Sequence, residues 1–270
     1  MYAFMLIQYL TCTICLATRQ PTTPKKYYWT APSPSKKRKR DPAPEEEESD
    51  TMLSSQTVFW IPKFQLTMNH KRRLLDNRRL DDSHINAFQR LIAQAFASQG
   101  WQNVAVGHAG FDFSPAPSVQ ILHNGNNHWL ASASTSDGIC VADSLLNEPN
   151  LITCQQLLDL YCKEGQDWLD VTYLDVQLQS GGTQCGDFAI AFAAAFASGK
   201  TAQTVRALRF DQARMRSHLM TCLTTDQFSP FPMPNASSDF FCATHYRPVL
   251  YRIAKADASH IRQADRAQDF

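Results

Sequence analysis

The most continuous apolar segment of the sequence runs from residue 185 to residue 199 and predicts a helix that is buried on all sides. Phe188, Phe192 and Phe196 recur four residues apart among alanines, and alanine is the residue most favourable to a helix. Gly199 follows, as glycine often does where a helix ends. A helix without a polar face needs neighbours all around it, so the pattern places this element at the centre of a domain.

Shorter runs in the middle of the chain predict a meander of three strands at 119–122, 128–132 and 139–142. Turn-forming residues at 124–127 and 136–138 separate the three runs. In a meander, the start of the second strand and the end of the third lie at the same edge of the sheet. Residues at these two positions are therefore expected side by side.

The other predicted elements are amphipathic helices and one further strand. The folded domain is expected to begin near the short apolar run at 57–61. The basic segment around 71–79 is interpreted as a solvated surface, and the last twenty residues as a short helix or a frayed end. The remaining predictions are a helix capped at 81–83 and ended by Gly100, a helix at 153–163, a strand at 168–178 and a helix at 211–223.

Composition divides the chain into three regions. Residues 1–55 are expected to be disordered, with an apolar opening followed by a basic and an acidic run. Residues 56–235 are expected to form the folded domain, and residues 236–270 a tail. The run Lys36–Arg40 has the form of a nuclear localisation signal, although a solvated charge run is an equal interpretation. The opening at 2–17 leaves a signal or anchor as a minority alternative.

Charge and cysteine content narrow the functional classes. The formal net charge is only +1, so no global basic field predicts nucleic-acid binding. The eight cysteines form no dense framework, which favours a reducing compartment, nuclear or cytoplasmic. Cys12 and Cys15 form a CxxC pair, and Cys242 and His245 lie close in sequence, but neither pair has the partners of a zinc site. We therefore predict no metal and no cofactor.

Four residues supply the parts of a nucleophilic site. Cys185 opens the buried helix, where the macrodipole favours a thiolate. His128 supplies a base, Asp143 an orienting carboxylate and Gln179 an amide donor. Each has a simpler interpretation when taken alone: a buried thiol, a satisfied imidazole, a turn-capping carboxylate. Their joint occurrence in this order favours catalysis.

The same residues resemble the ubiquitin-like protease family, the cysteine proteases that process SUMO and related modifiers. The family pattern of His-Trp, then Asp-Ser-Leu, then Gln ahead of Cys-Gly is matched from residue 128 to residue 186. Five residues separate Gln179 from Cys185, as in the family. Leu80-Asp81-Asp82 and Ile85-Asn86 match an upstream motif. Gln184 departs from the pattern, since the family usually has Asp before the cysteine.

The resemblance implies an α+β fold of the papain-like cysteine protease type, with a central mixed sheet flanked by helices. It also implies deSUMOylation-like proteolysis of the C-terminal tail or isopeptide bond of a ubiquitin-like modifier. His128, Asp143, Cys185 and Gln179 are the implied catalytic residues, and Trp129 and Gly186 the implied substrate-binding residues, although Trp129 equally suits an ordinary core position.

Two alternative functions stay open. One is acyl transfer by an enzyme of the same clan, which uses the same triad order. The other is an inactive module that binds a modifier without cutting it. The expected partners are a ubiquitin-like modifier and its conjugates, with neither nucleic acid nor membrane.

Overall fold

A six-stranded mixed sheet forms the centre of the structure, a computed structural model that describes residues 25–26, 57–234 and 248–255. The strand order is β1-β8-β7-β6-β5-β4, and β2 and β3 form a separate antiparallel pair. The strands are β1 (Lys25–Lys26), β2 (Phe59–Ile61), β3 (Leu66–Thr67), β4 (Ser118–His123), β5 (Trp129–Thr135), β6 (Gly138–Ala142), β7 (Trp168–Leu174) and β8 (Val249–Ala254).

Helices cover both faces of this sheet. They are α1 (Met68–Leu75), α2 (Asp82–Phe96), α3 (Leu151–Tyr161), α4 (Cys185–Ala197), α5 (Ala202–Ala207) and α6 (Gln212–Thr225), with short 3-10 helices at Pro62–Phe64 and Val104–His108. Among the described residues, no helix is both long enough and apolar enough to cross a membrane. The apolar opening at 2–17 and the basic run Lys36–Arg40 lie outside the described residues.

The meander predicted from the sequence is confirmed: β4 pairs with β5, and β5 with β6, both antiparallel. The chain then crosses over through α3, so that β7 pairs with β6 in parallel. This topology brings the start of β5, the end of β6 and the end of β7 to one edge of the sheet. Residues that flank these three points are therefore neighbours in space.

Helix α4 is the central packing element, as the hydrophobic pattern predicts. Its residues from Cys185 to Phe196 are all buried. It lies against β5, where Ala131 and Ala133 present only methyl groups, so that the backbones of helix and strand can approach closely. α2 and α6 complete this face, and α3 packs on the other face against a second apolar cluster. The α+β architecture with a central mixed sheet agrees with the prediction.

Most element boundaries differ from the sequence expectation by one to four residues. Helix α3 spans Leu151–Tyr161 where 153–163 was expected, and α6 spans Gln212–Thr225 where 211–223 was expected. Helix α2 ends at Phe96 and not at Gly100, because Ala97 adopts a left-handed conformation that terminates the helix. Strand β7 ends at Leu174 and not at residue 178, and the chain beyond it runs as a loop toward α4. Helix α4 ends at Ala197, just before Gly199.

Several elements were not predicted. The basic segment interpreted as solvated surface contains α1, whose start is stabilised by a reciprocal cap between Thr67 and His70. Helix α5 is also new. The expected tail contributes β8, which pairs with β7 in the sheet, and Lys25–Lys26 pair in parallel with β8 although they fall in a region expected to be disordered. The sheet therefore extends past residue 235.

Candidate active site

Four elements deliver the predicted site residues to one edge of the sheet. His128 immediately precedes β5, and Asp143 immediately follows β6. The loop after β7 carries Gln179 and leads directly into α4, whose first residue is Cys185. The antiparallel β5–β6 pair and the parallel β6–β7 pair together explain why residues so far apart in sequence meet here.

His128 and Asp143 form a buried pair. The Nε2 atom of His128 lies 2.6 Å from Oδ1 of Asp143, and the two residues are only 5% and 3% exposed. The carboxylate is held in turn by two backbone N–H groups: Leu145 donates to Oδ1 at 2.8 Å, and Asn147 donates to Oδ2 at 3.3 Å. Asp143 thus fixes the imidazole ring while being fixed itself by the turn after β6.

Cys185 is the second group that acts on His128. Its side chain lies close enough to the imidazole to favour the protonated ring, as Asp143 does through its contact with Nε2. Burial disfavours the imidazolium, but the hydrogen bonds to Asp143 and Cys185 and the charges of these two groups outweigh it. Together they raise the pKa of His128 from 6.5 to about 9. The site therefore stabilises a protonated histidine next to sulfur.

Cys185 is the first residue of α4 and lies at its N-terminal end, which the side chain of the preceding Gln184 does not cap. The first N–H groups of a helix have no partner within the helix, so they point at whatever anion lies at this end. Cys185 itself is 2% exposed. A thiolate here, or an oxyanion formed on the acyl carbon it attacks, meets this positive end.

Gln179 is oriented by the residue that follows Asp143. Ser144 Oγ donates to Gln179 Oε1 at 2.7 Å, and the Gln179 backbone N–H donates to the Ser144 carbonyl at 3.0 Å. The Gln179 Nε2 group donates to the carbonyl of Gly181. An amide nitrogen carries two protons, so one N–H remains for an oxyanion. Ser144, the serine of the Asp-Ser-Leu motif, thus connects Asp143 to Gln179 across the site.

Trp129 and Gly186 are brought together by Leu80. Trp129 is 6% exposed, and its indole N–H donates to the Leu80 carbonyl at 2.9 Å. A side chain at position 186 would crowd Leu80, since an added Cβ would lie 3.0 Å from Leu80 Cβ. The role of both residues in substrate binding stays a prediction. Leu80 opens the Leu-Asp-Asp motif, and that motif was the signal in the sequence for this contact.

Among the described residues, no group of three or more His, Cys, Asp and Glu side chains is arranged to hold a metal ion. Cys12, Cys15, Cys242 and His245 lie outside them. The described part of the site is built from a thiol, an imidazole, a carboxylate and amides. This set suits nucleophilic acyl chemistry without an added group.

Comparison with known proteins agrees with this fold. No family model and no curated protein matches the chain. Among solved structures, the SUMO protease Ulp1 with its catalytic cysteine oxidised to a sulfonic acid is 18% identical, with a TM-score of 0.50, and the match covers 64% of this chain and 90% of that one. The Ulp1 protease domain in complex with Smt3, the yeast ortholog of SUMO, is 17% identical over 60% of this chain and 83% of that one, with a TM-score of 0.47.

The fold is thus that of the papain-like cysteine proteases, with a mixed sheet flanked by helices and the cysteine at the start of the buried helix. More particularly, it is the ubiquitin-like protease fold seen in Ulp1. At this level of identity the likeness establishes the fold, and function has to be argued from the side chains of this chain.

Proposed function

We propose that the protein is a cysteine peptidase that cleaves the C-terminal tail, or the isopeptide bond, of a ubiquitin-like modifier of the SUMO type. The observation that carries this proposal is the position of His128, which bridges Asp143 and Cys185 in a buried site at the start of α4. Such an arrangement contributes little to stability, because burying a charged pair is costly, and strongly shifted pKa values cluster at functional sites.

The proposed reaction uses each of these groups in turn. The Cys185 thiolate attacks the carbonyl carbon of the modifier's last residue, and a tetrahedral oxyanion forms. When this intermediate collapses, the C–N bond breaks and the leaving amine takes the proton from the His128 imidazolium. Neutral His128 then removes a proton from water, which attacks the thioester. The acid leaves and the Cys185 thiolate is restored beside protonated His128, while Asp143 keeps the ring in the required tautomer.

The oxyanion is stabilised by the Cys185 backbone N–H and the free N–H of Gln179. One such donor is typically worth about 3 kcal/mol of transition-state stabilisation. Trp129 and Gly186 line a narrow approach that suits a tail without side chains, such as Gly-Gly. Gln184 differs from the aspartate usual in the resembled family, but it does not bear on the proton transfers.

The basic run Lys36–Arg40 supports action in the nucleus or cytoplasm, where a free thiol also stays reduced. A fusion of green fluorescent protein to residues 20–56 tests this proposal. Nuclear accumulation that is lost when the five basic residues become glutamine supports it, and an unchanged distribution contradicts it.

Cleavage of modifier precursors tests the proposed activity. Purified protein is incubated with ubiquitin-like modifiers that carry a C-terminal extension, and the products are read by mass spectrometry. Cleavage after the last glycine of one modifier is expected, with loss in Cys185→Ser and retention in Cys162→Ser, a half-buried thiol remote from the site. Binding without cleavage would favour the inactive module, and transfer of acetyl groups to a peptide would favour the acyltransferase.

A further inference from the structure

A second polar system lies directly behind the nucleophile and is not used in the proposed chemistry. Asp187, in the first turn of α4, is fully buried, and Arg216 of α6 is 9% exposed. The Arg216 Nε group donates to Asp187 Oδ2 at 2.7 Å. Helix α4 is otherwise apolar, so a carboxylate at this position has to be explained by its partner.

Arg216 also reaches the loop that carries the oxyanion donor. Its terminal Nη2 group donates to the Thr183 carbonyl at 2.8 Å. One planar guanidinium therefore joins the loop before Cys185 to the helix after it. The rigid fork of an arginine fixes both distances at once, which a lysine cannot do.

The same face of α6 holds the loop at a second point. Gln212, one helical turn before Arg216, accepts from the Ser180 backbone N–H at 3.0 Å and donates to Ser180 Oγ at 2.7 Å. The loop from Gln179 to Gln184 is thus held at Ser180 and at Thr183 by two residues of one helix. Its conformation sets where the Gln179 amide points.

We propose that Arg216 is a positioning residue for catalysis, which locks the oxyanion loop onto the first turn of the nucleophile helix through Thr183 and Asp187. This inference rests on the proposed function and extends it to α6. The cost of the arrangement is visible: within the described residues, Asp187 Oδ1 and Arg216 Nη1 are buried without a hydrogen-bond partner. A pair kept only for stability would be better replaced by apolar side chains.

The electrostatics of the pair fit this role. Burial raises the pKa of Asp187 to about 7, against the lowering effect of Arg216 and the smaller effect of His84 on α2. Arg216 is therefore the main group that favours the ionised form of Asp187 against its burial. Without Arg216, Asp187 takes up a proton and becomes neutral. No unpaired charge is then buried, so the variant can still fold.

The test compares four variants, one of which, Arg216→Lys, keeps the charge without the planar fork. Arg216→Met removes both contacts, and Asp187→Asn with Arg216→Met removes both buried charges, which keeps the experiment valid if the single variant unfolds. Arg214→Met is the matched control, since Arg214 lies on the exposed side of the same helix and pairs with Asp211. Each variant is measured for kcat and KM with a modifier precursor and for alkylation of Cys185 by iodoacetamide.

Alkylation forms no oxyanion, so the two readouts separate positioning from folding. We expect kcat of the double variant to fall by about 10- to 100-fold with KM unchanged, while Cys185 is alkylated at the wild-type rate. Arg216→Lys should recover part of the loss, and Arg214→Met should behave as wild type.

Two results would overturn the inference alone: a wild-type kcat in the double variant, or a parallel fall in kcat and alkylation, which would mean a structural role only. A wild-type protein that cleaves no precursor would instead overturn the proposed function, and this inference with it.

Discussion

At the scale of single residues, the site depends on how His128 is held. Two neighbouring groups, Asp143 and Cys185, both favour the protonated ring over the neutral one. Asp143 can do this from a buried position because two backbone N–H groups stabilise its charge. The sequence placed all four catalytic candidates in order, but it contained no sign of Ser144 orienting Gln179, since that contact depends on the path of the loop after β7.

The raised pKa of His128 predicts a specific pH dependence. The folded value of about 9 lies above the ordinary 6.5, so the stability that protonation confers is complete below pH 6.5 and is lost as the pH rises to about 9. The imidazolium is also the acid that protonates the leaving amine. We therefore expect kcat/KM to decline in alkali with a midpoint near pH 9, while alkylation of Cys185 continues above it. A midpoint near 6.5 for the wild type would contradict this account.

Asp143→Asn tests the cause of that shift. Without the carboxylate, the pKa of His128 should move down toward its ordinary value, and the ring should lose its preferred tautomer. We expect kcat/KM to fall by at least about 100-fold, with the alkaline midpoint moved to lower pH. Equal pH profiles of variant and wild type, read with a modifier precursor, would exclude Asp143 as the orienting group.

At the scale of elements, helix α4 shows why some features were predictable and others were not. The apolar run of α4 and the four-residue spacing of its phenylalanines are local signals. The sequence alone therefore predicted both that the helix exists and that it is buried. The pairing of Asp187 with Arg216 joins residues that are far apart in sequence. The only signal in the sequence was Asp187 itself, a charged residue inside an otherwise apolar helix. Such a residue requires a buried partner, but the sequence does not indicate which residue that partner is.

Gly186→Ala tests how tightly the start of α4 is packed. The new methyl group would lie 3.0 to 3.2 Å from three atoms of the Leu80 side chain, which is itself buried. We expect a loss of about 1 to 3 kcal/mol in the free energy of unfolding, together with lower kcat because the Cys185 N–H shifts. Gly182→Ala is the control for stability, since open space surrounds that position. If Gly186→Ala has the same free energy of unfolding as the wild type, or a higher one, the Leu80 side chain can move to accommodate the methyl group.

At the scale of the whole molecule, the site residues lie along one edge of the central sheet. We expect their relative positions to depend on the complete set of strands. The predicted strands have turn residues at both ends, which is why they were found. Strand β8 was missed because it lies beyond a proline-rich stretch, although Tyr251 and Ile253 alternate with the exposed Arg252. α1 was missed because only Leu74 on it is buried.

Removing β8 tests its contribution to the sheet. A chain that ends at Pro234 loses the partner of β7 and the buried side chains of Tyr251 and Ile253, each worth about 1.5 to 3 kcal/mol. It also leaves the edge of β7 unpaired, which invites self-association. Compared with a chain that ends at Lys255, we expect a lower midpoint in chemical denaturation and larger species in light scattering. Identical behaviour would mean that β8 is dispensable.

The most direct test of the central claim is covalent capture of the nucleophile. Purified protein is mixed with a panel of ubiquitin-like modifiers that carry a C-terminal electrophile, and the adducts are located by mass spectrometry. The account predicts one adduct at Cys185 from a SUMO-type modifier, absent in Cys185→Ala and retained in Cys162→Ser. Folded protein that forms no adduct with any modifier, or an adduct that persists in Cys185→Ala, would contradict it.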